Sequence, residues 1–192
     1  MNAGRYQPGP PGGAEARPEG DRWTLVFVRE LRHPPDTVWR ALTDPAELRG
    51  WAPFDADRNP GTTGAAALTM AGAGGTAGET LPASVRRAEP PRLLEYAWGR
   101  DLLRWELEPT GSGTRLTLHH TLDDRSWIPK VAAGWHICLD VADRLMAGQP
   151  IGRIVADDAR HHGWERLNDA YAAHLGIPST GWPEEADRAA GR

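Results

Sequence analysis

Alternating hydrophobic and polar residues predict a run of β-strands in the middle of the chain. The predicted strands are 83–88, 93–98, 102–108 and 114–122. Short turns rich in Pro or Gly separate them, so consecutive strands are expected to be antiparallel. Their inward positions carry mainly Leu, Tyr and Trp, while their outward positions carry mainly Arg, Glu and Thr. One face of the predicted sheet therefore packs on a core, and the other contacts water.

Shorter elements are predicted before these strands. The stretch 23–32 is rich in β-branched and aromatic residues and ends before Pro34, which is typical of a strand. Two short helices follow, the first opened by Pro35 and the second capped by Asp44. A weaker strand is predicted at 65–70, inside a segment whose Gly, Ala and Thr residues give little periodic signal.

Two helices are predicted after the strands. The first, 130–147, repeats apolar residues at helical spacing: Val131, Trp135, Cys138, Leu139, Ala142, Leu145 and Met146. The second is predicted at 157–175 and ends before Gly176 and Pro178. An antiparallel sheet combined with a long amphipathic helix indicates an α+β fold.

The composition favours a single cytoplasmic domain. We expect it at 21–177, between disordered tails at 1–20 and 178–192 that offer few apolar side chains. The only cysteine, Cys138, cannot form an intramolecular disulfide, which is typical of a reducing compartment. The first residues lack the apolar stretch of a signal peptide or membrane anchor, so no membrane partner is expected.

Other partners and cofactors are excluded by charge and by missing motifs. The net charge is −4 and no long basic stretch occurs, so nucleic acid is not a predicted partner. Neighbouring strand residues such as His119 and His120 point to opposite faces and cannot chelate one metal ion. No phosphate loop, dinucleotide fingerprint or nucleophile elbow is present, so no cofactor and no catalytic residue is predicted. Whether the chain forms a homodimer is left open.

Four stretches of the chain resemble a known family. They are RELRHPPDTVWRALTDPAELRGW (29–51), EPPRLLEYAW (89–98), LRWELEPTGSGTRLTLHHTLDD (103–124) and AAGWHICLD (132–140). The family is the bacterial branch of the activators of heat-shock-protein-90 ATPase, within the SRPBCC or START-like superfamily, and the resemblance covers about 23–147. It implies a helix-grip fold, in which a curved antiparallel sheet wraps around a long C-terminal helix. It also implies a cavity between sheet and helix, with a ligand that varies and no shared catalytic motif.

The large side chains that face this expected cavity are the candidate ligand contacts. They are Met70, Tyr96, Trp98, Trp105 and His120 from the strands, and Trp135, Leu139 and Met146 from the helix. The sheet set and the helix set are predicted to face each other across the cavity. The expected partner is a small hydrophobic or aromatic molecule.

Two questions stay open at this point. His120 lies between leucines on the dry face, so it is either a hydrogen-bonded core histidine or a polar anchor for the ligand. For function, binding of a small molecule is the leading hypothesis. The alternatives are a polyketide cyclase- or hydrolase-type enzyme that uses His120 as acid or base, a protein that confers resistance to a toxic metabolite, and a co-chaperone-like interaction domain.

Overall fold

An eight-stranded antiparallel sheet is the largest element of the computed structural model, which describes residues 6–183. The strands are β1 (Ala14–Glu19), β2 (Arg22–Leu31), β3 (Phe54–Ala56), β4 (Gly64–Ala71), β5 (Ala77–Glu89), β6 (Leu93–Trp98), β7 (Asp101–Thr110) and β8 (Gly113–Leu122). Their order across the sheet is β1-β2-β8-β7-β6-β5-β4-β3. The predicted meander is confirmed as β5 to β8.

Within residues 6–183, four α-helices accompany the sheet: α1 (Pro35–Thr43), α2 (Pro45–Leu48), α3 (Ile128–Met146) and α4 (Trp164–Leu175). The curved sheet wraps around α3, which is the α+β helix-grip arrangement that the sequence predicts. Since α3 is buried on more than one side, even its small residues Ala132 and Ala133 are fully inaccessible to water. Between α3 and α4 lies a 3-10 helix, Ala156–His162.

The register of the sheet fixes which side chains face α3. His120 on β8 lies opposite Leu25 on β2 and Leu103 on β7, and all three side chains are buried. Their neighbours along the strands point outward, as shown by Arg104, which forms an ion pair with Glu106 at 2.6 Å. The predicted division into a dry face and a wet face is therefore confirmed.

The N-terminal segment differs from the disordered tail that the sequence predicts for 1–20. Its residues Ala14–Glu19 form the edge strand β1 on β2, and Tyr6 is only 5% exposed. The segment has few apolar residues, but backbone hydrogen bonds to β2 and a bond from Tyr6 to Asp140 order it without a large apolar surface. Residues 1–5 lie outside the described part of the chain.

The C-terminal segment also differs from the prediction of a tail beginning at 178. The indole of Trp182 packs edge-on against Trp164, with ring centroids 4.6 Å apart. The hydroxyl of Ser179 accepts a hydrogen bond from Asn168 and donates one to Asp169. The ordered region thus extends past 177, while residues 184–192 lie outside the described part of the chain.

The region predicted as one helix at 157–175 is divided in two. Gly163, with φ of +83°, has the left-handed backbone that ends the 3-10 helix before α4 begins. Gly148 and Gly152, on the stretch leading from α3, also have positive φ. Within residues 6–183, no helix combines the length and apolar character needed to cross a bilayer.

Candidate ligand cavity

A cavity of about 180 Å³ lies between α3, the sheet and the segment that leads into α4. Its lining residues are Pro53, Trp98, His120, Val131, Gly134, Trp135, Cys138, Ile154, Val155, Ala156, Ala159, Trp164 and Trp182. These lining residues include no Asp, Glu, Lys or Arg. For scale, an engineered cavity of about 150 Å³ in another protein stays dry and binds benzene. The volume here suits a molecule of one or two rings.

The inner wall of the cavity is one stripe of α3. Val131, Gly134, Trp135 and Cys138 follow the i, i+3, i+4, i+7 spacing that places residues on one helical face. Burial raises the pKa of the Cys138 thiol to about 12, although the charge of Arg153 lowers it slightly. The thiol is therefore protonated at neutral pH and contributes apolar surface to the wall.

Gly134 contributes no side chain to this wall. A Cβ built on Gly134 meets no other atom within 4 Å, because the cavity lies in front of it. Glycine inside a helix costs about 1 kcal/mol relative to alanine. At Gly134, α3 therefore places no side chain in the cavity, and the helix lacks the stability that an alanine would add there.

His120 and Trp135 meet at the junction of sheet and helix. The indole Nε1 of Trp135 donates a 2.9 Å hydrogen bond to Nδ1 of His120, and His120 Nε2 lies 2.7 Å from Asp101 Oδ2. Because an indole nitrogen can only donate, Nδ1 carries no proton and Nε2 donates to the carboxylate. Both ring nitrogens are bonded to protein groups, as expected for the core-histidine alternative. Neither is free to act as acid or base on a bound molecule.

The predicted lining residues fall into two groups. Trp98, His120 and Trp135 border the cavity. The others do not: Tyr96, Trp105 and Leu139 are buried in the core, and Met70 and Met146 are half-buried elsewhere. Trp105 packs edge-on against Trp135 at 5.2 Å, and its indole donates to the hydroxyl of Tyr96 at 3.3 Å. These inward side chains interdigitate, so they fill the core behind the cavity wall.

The outer wall was not predicted from the sequence. It consists mainly of Ile154, Val155, Ala156 and Ala159, with Trp164 at the start of α4. Residues 148–156, which precede the helix predicted at 157–175, have no helical or strand periodicity, so the burial of Ile154 and Val155 was not predictable from the sequence. The sequence contains one signal of open space beside α3, which is Gly134 within the apolar helical pattern.

Polar contacts fix the outer wall to the sheet. Arg153 forms a 2.8 Å ion pair with Asp55, and the carboxylate of Asp158 accepts a 3.0 Å hydrogen bond from the backbone N–H of Gly74. Ala156 has a φ of +49°, a left-handed conformation that is strained for a residue other than glycine. The wall is thus held in a specific shape at the point where it borders the cavity.

A second polar cluster lies on the other side of α3. Asp140 accepts hydrogen bonds from Tyr6 (2.6 Å) and Arg29, and Nε2 of His136 lies 3.4 Å away. The hydroxyl of Tyr171 bonds to Nδ1 of His136 at 2.8 Å. Burial opposes ionisation of Asp140, but these three partners together hold the pKa of its carboxyl below the ordinary value. This cluster ties the N-terminal segment to α3 and does not border the cavity.

Across residues 6–183, no group of three or more His, Cys, Asp or Glu side chains is placed to hold an ion.

The chain is similar to a known family and to several solved structures. The family described as "Activator of Hsp90 ATPase homolog 1-like protein" matches residues 32–147. The crystal structure of CalU16 from Micromonospora echinospora is 22% identical, with a TM-score of 0.61, and the match covers 84% of this chain and 94% of CalU16. A Mesorhizobium loti protein is 26% identical, with a TM-score of 0.57, and the match covers 67% and 99% of the two chains. No curated protein matches the chain.

Proposed function

The chain belongs to the family of activator of Hsp90 ATPase homolog 1-like proteins, and from this premise we propose that it binds a small, uncharged aromatic or hydrophobic molecule in the cavity beside α3. Binding there removes apolar surface of both partners from water, which is the main source of affinity for such ligands. The lining residues include no charged side chain, and a charged ligand would therefore lose its hydration without gaining a counter-charge.

The observation that carries this proposal is the open space at Gly134. A wall that served only stability would have an alanine or a larger side chain here, since either would improve the helix and fill the void. The glycine instead preserves the cavity at a cost to the fold. Such an exchange of stability for open space is typical of binding sites.

The same geometry favours binding over chemical turnover. Protein partners occupy both ring nitrogens of His120, and the Cys138 thiol stays protonated because burial raises its pKa to about 12. No other titratable side chain belongs to the lining residues. A cyclase- or hydrolase-type activity would need a general acid or base, which the wall does not offer. A cytoplasmic location stays a prediction from the sequence, which leaves the formation of a homodimer open.

Filling the cavity from Gly134 tests the proposal. The probe is indole, which is neutral, soluble and bicyclic, and its affinity is measured by calorimetry on wild type, Gly134→Ala and Gly134→Leu. We expect Gly134→Leu to fold at least as stably as wild type and to lose about ten-fold or more in affinity. Gly134→Ala should retain most of the binding.

A matched control separates blocking from a general effect of added apolar surface. Gly111 also has no atom within 4 Å of an added Cβ, but it lies in the turn after β7, away from the cavity. Gly111→Leu should bind indole as wild type does. Unchanged affinity in a folded Gly134→Leu variant, or no binding by wild type, would contradict the proposal.

A further inference from the structure

One hydrogen bond at the cavity wall depends on the protonation state of its acceptor. It is the bond from Trp135 Nε1 to His120 Nδ1, and both residues border the cavity. We propose that ligand binding is coupled to the protonation of His120, so that the cavity binds its aromatic ligand near neutral pH and releases it in acid. This proposal rests on the proposed function and concerns the regulation of the same site.

The chemistry of the pair gives the direction of the coupling. In the neutral imidazole, Nε2 carries the proton and donates to Asp101, while the Nδ1 lone pair accepts from Trp135. A proton taken up from solvent can enter only at Nδ1. That nitrogen then becomes a donor, and two N–H groups would face each other where the separation is now 2.9 Å. Trp135 and His120 must therefore move apart. The new N–H bond on Nδ1 is the only covalent change.

His120 lies at the end of a network of four charged side chains. On β7, the carboxylate of Asp101 lies 2.7 Å from Nε2, the nitrogen that carries a proton in both states. On β2, Arg22 lies 3.9 Å from the other oxygen of Asp101 and also pairs with Asp123 at 2.8 Å. Asp123 is shared with Arg100 at 2.7 Å.

The remaining neighbours of His120 carry no charge. Leu25 and Leu103 lie beside it in the sheet, and the ring of Trp98 on β6 has its centroid 6.3 Å away. On α3, the cavity face presents Trp135 and the protonated thiol of Cys138. The other ionisable residues in the middle of α3, His136 and Asp140, bond to Tyr171, Tyr6 and Arg29 on the opposite side. Among these uncharged neighbours, the contact that becomes unfavourable on protonation is the one with the indole N–H of Trp135.

Displacement of Trp135 changes the shape of the site. Its indole forms part of the inner wall and is otherwise held by an edge-on contact with Trp105, at 5.2 Å and 89°. Loss of the hydrogen bond removes the polar constraint on that indole, and the wall is no longer preorganised for a ligand. By linkage, a ligand that prefers the neutral state must also expel a proton when it binds to the protonated state.

The test measures indole affinity by calorimetry from about pH 8 to about pH 5, the range in which histidine titrates and indole stays neutral. We expect affinity to fall by about five-fold toward the acid end, the equivalent of one hydrogen bond. Titrations at acid pH in two buffers with different ionisation enthalpies should reveal proton release on binding.

Variants identify the responsible group. His120→Asn places an amide oxygen near the position of Nδ1, where it accepts from Trp135 and does not titrate, so its affinity should be independent of pH. Trp135→Phe removes the donor and should also abolish the dependence. His119→Asn changes the adjacent histidine on the outward face and should keep the wild-type profile.

The outcomes separate this inference from the proposed function. If wild type binds indole equally at both ends of the range without proton release, the coupling is wrong and the binding function stands. A dependence that persists in His120→Asn or in Trp135→Phe would also overturn it. If wild type binds at no pH, both proposals fail.

Discussion

Trp135 on α3 donates a 2.9 Å hydrogen bond to His120 on β8, and the bond joins helix to sheet at the edge of the cavity. His120 is only 3% exposed and in turn donates to Asp101 at 2.7 Å. A buried imidazole thus links a neutral donor to a carboxylate.

This link predicts that His120→Leu destabilises the fold. From the sequence, a ligand-anchoring His120 would tolerate leucine without much loss of stability. In the structure, leucine would leave the buried N–H of Trp135 without an acceptor and remove one donor from Asp101. We expect the free energy of unfolding to fall by about 2 kcal/mol. Urea denaturation measures this, and a stability equal to that of wild type would contradict the role of the link.

Tyr6→Phe should also lower stability, because the Tyr6 hydroxyl donates to the ionised carboxylate of Asp140 at 2.6 Å. Hydrogen bonds to charged groups contribute about 1.5–3 kcal/mol, and we expect a loss near the lower end of that range. Arg17→Ala is the control in the same segment, since the Arg17–Glu15 ion pair is exposed and should matter little. Stability is measured by urea denaturation. Equal denaturation midpoints for Tyr6→Phe and Arg17→Ala would contradict a docked N-terminal segment.

Stability should decline in alkali. Burial raises the pKa of all three tyrosines of the chain: Tyr6, Tyr96 and Tyr171. Above about pH 10 the unfolded state ionises its tyrosines while the folded state keeps its protons, so the unfolded state binds fewer protons and stability falls as pH rises. Urea midpoints measured across this range test the sign. Tyr96→Phe should reduce the slope, and midpoints that stay constant or rise would contradict the burial of these hydroxyls.

The thiol of Cys138 should be nearly inert in the folded protein. Burial raises its pKa to about 12, and the thiolate is the reactive form. At about pH 8, Ellman's reagent should therefore label the native chain far more slowly than the urea-unfolded chain. Because Cys138 is the only cysteine, the absorbance reports this one site. Rapid labelling of the native protein would show that the inner wall is open to solvent.

Much of this fold was predictable, since alternation and helical spacing report which side chains point inward. Trp105 and His120 were placed on the dry face, and Trp135 on the facing helix stripe, and all three lie there. The sequence could not tell inward side chains that fill the core from those that border a void. Trp105 fills the core while Trp98 lines the cavity, and the difference depends on sheet curvature and on the packing of neighbours.

Other parts were not predictable because their order comes from contacts without a periodic signature. Strand β1 has the sequence AEARPE, with little hydrophobic alternation, and is fixed by backbone pairing with β2. Ile154, Val155 and Ala159 of the outer wall are buried, and bonds from Arg153 to Asp55 on β3 and from Asp158 to the backbone of Gly74 hold this region in place. Such contacts between separate regions of the chain leave no local pattern that a single sequence can reveal.

The most direct test of the binding account locates a bound probe. With unlabelled indole and uniformly carbon-13 and nitrogen-15 labelled protein, isotope-filtered NOE spectra report which side chains lie beside the ligand. We predict contacts from indole protons to Val131 and Cys138 on the inner wall and to Trp164 on the outer wall. Contacts confined to residues outside the cavity, or saturable binding with no contact to these three side chains, would contradict the account.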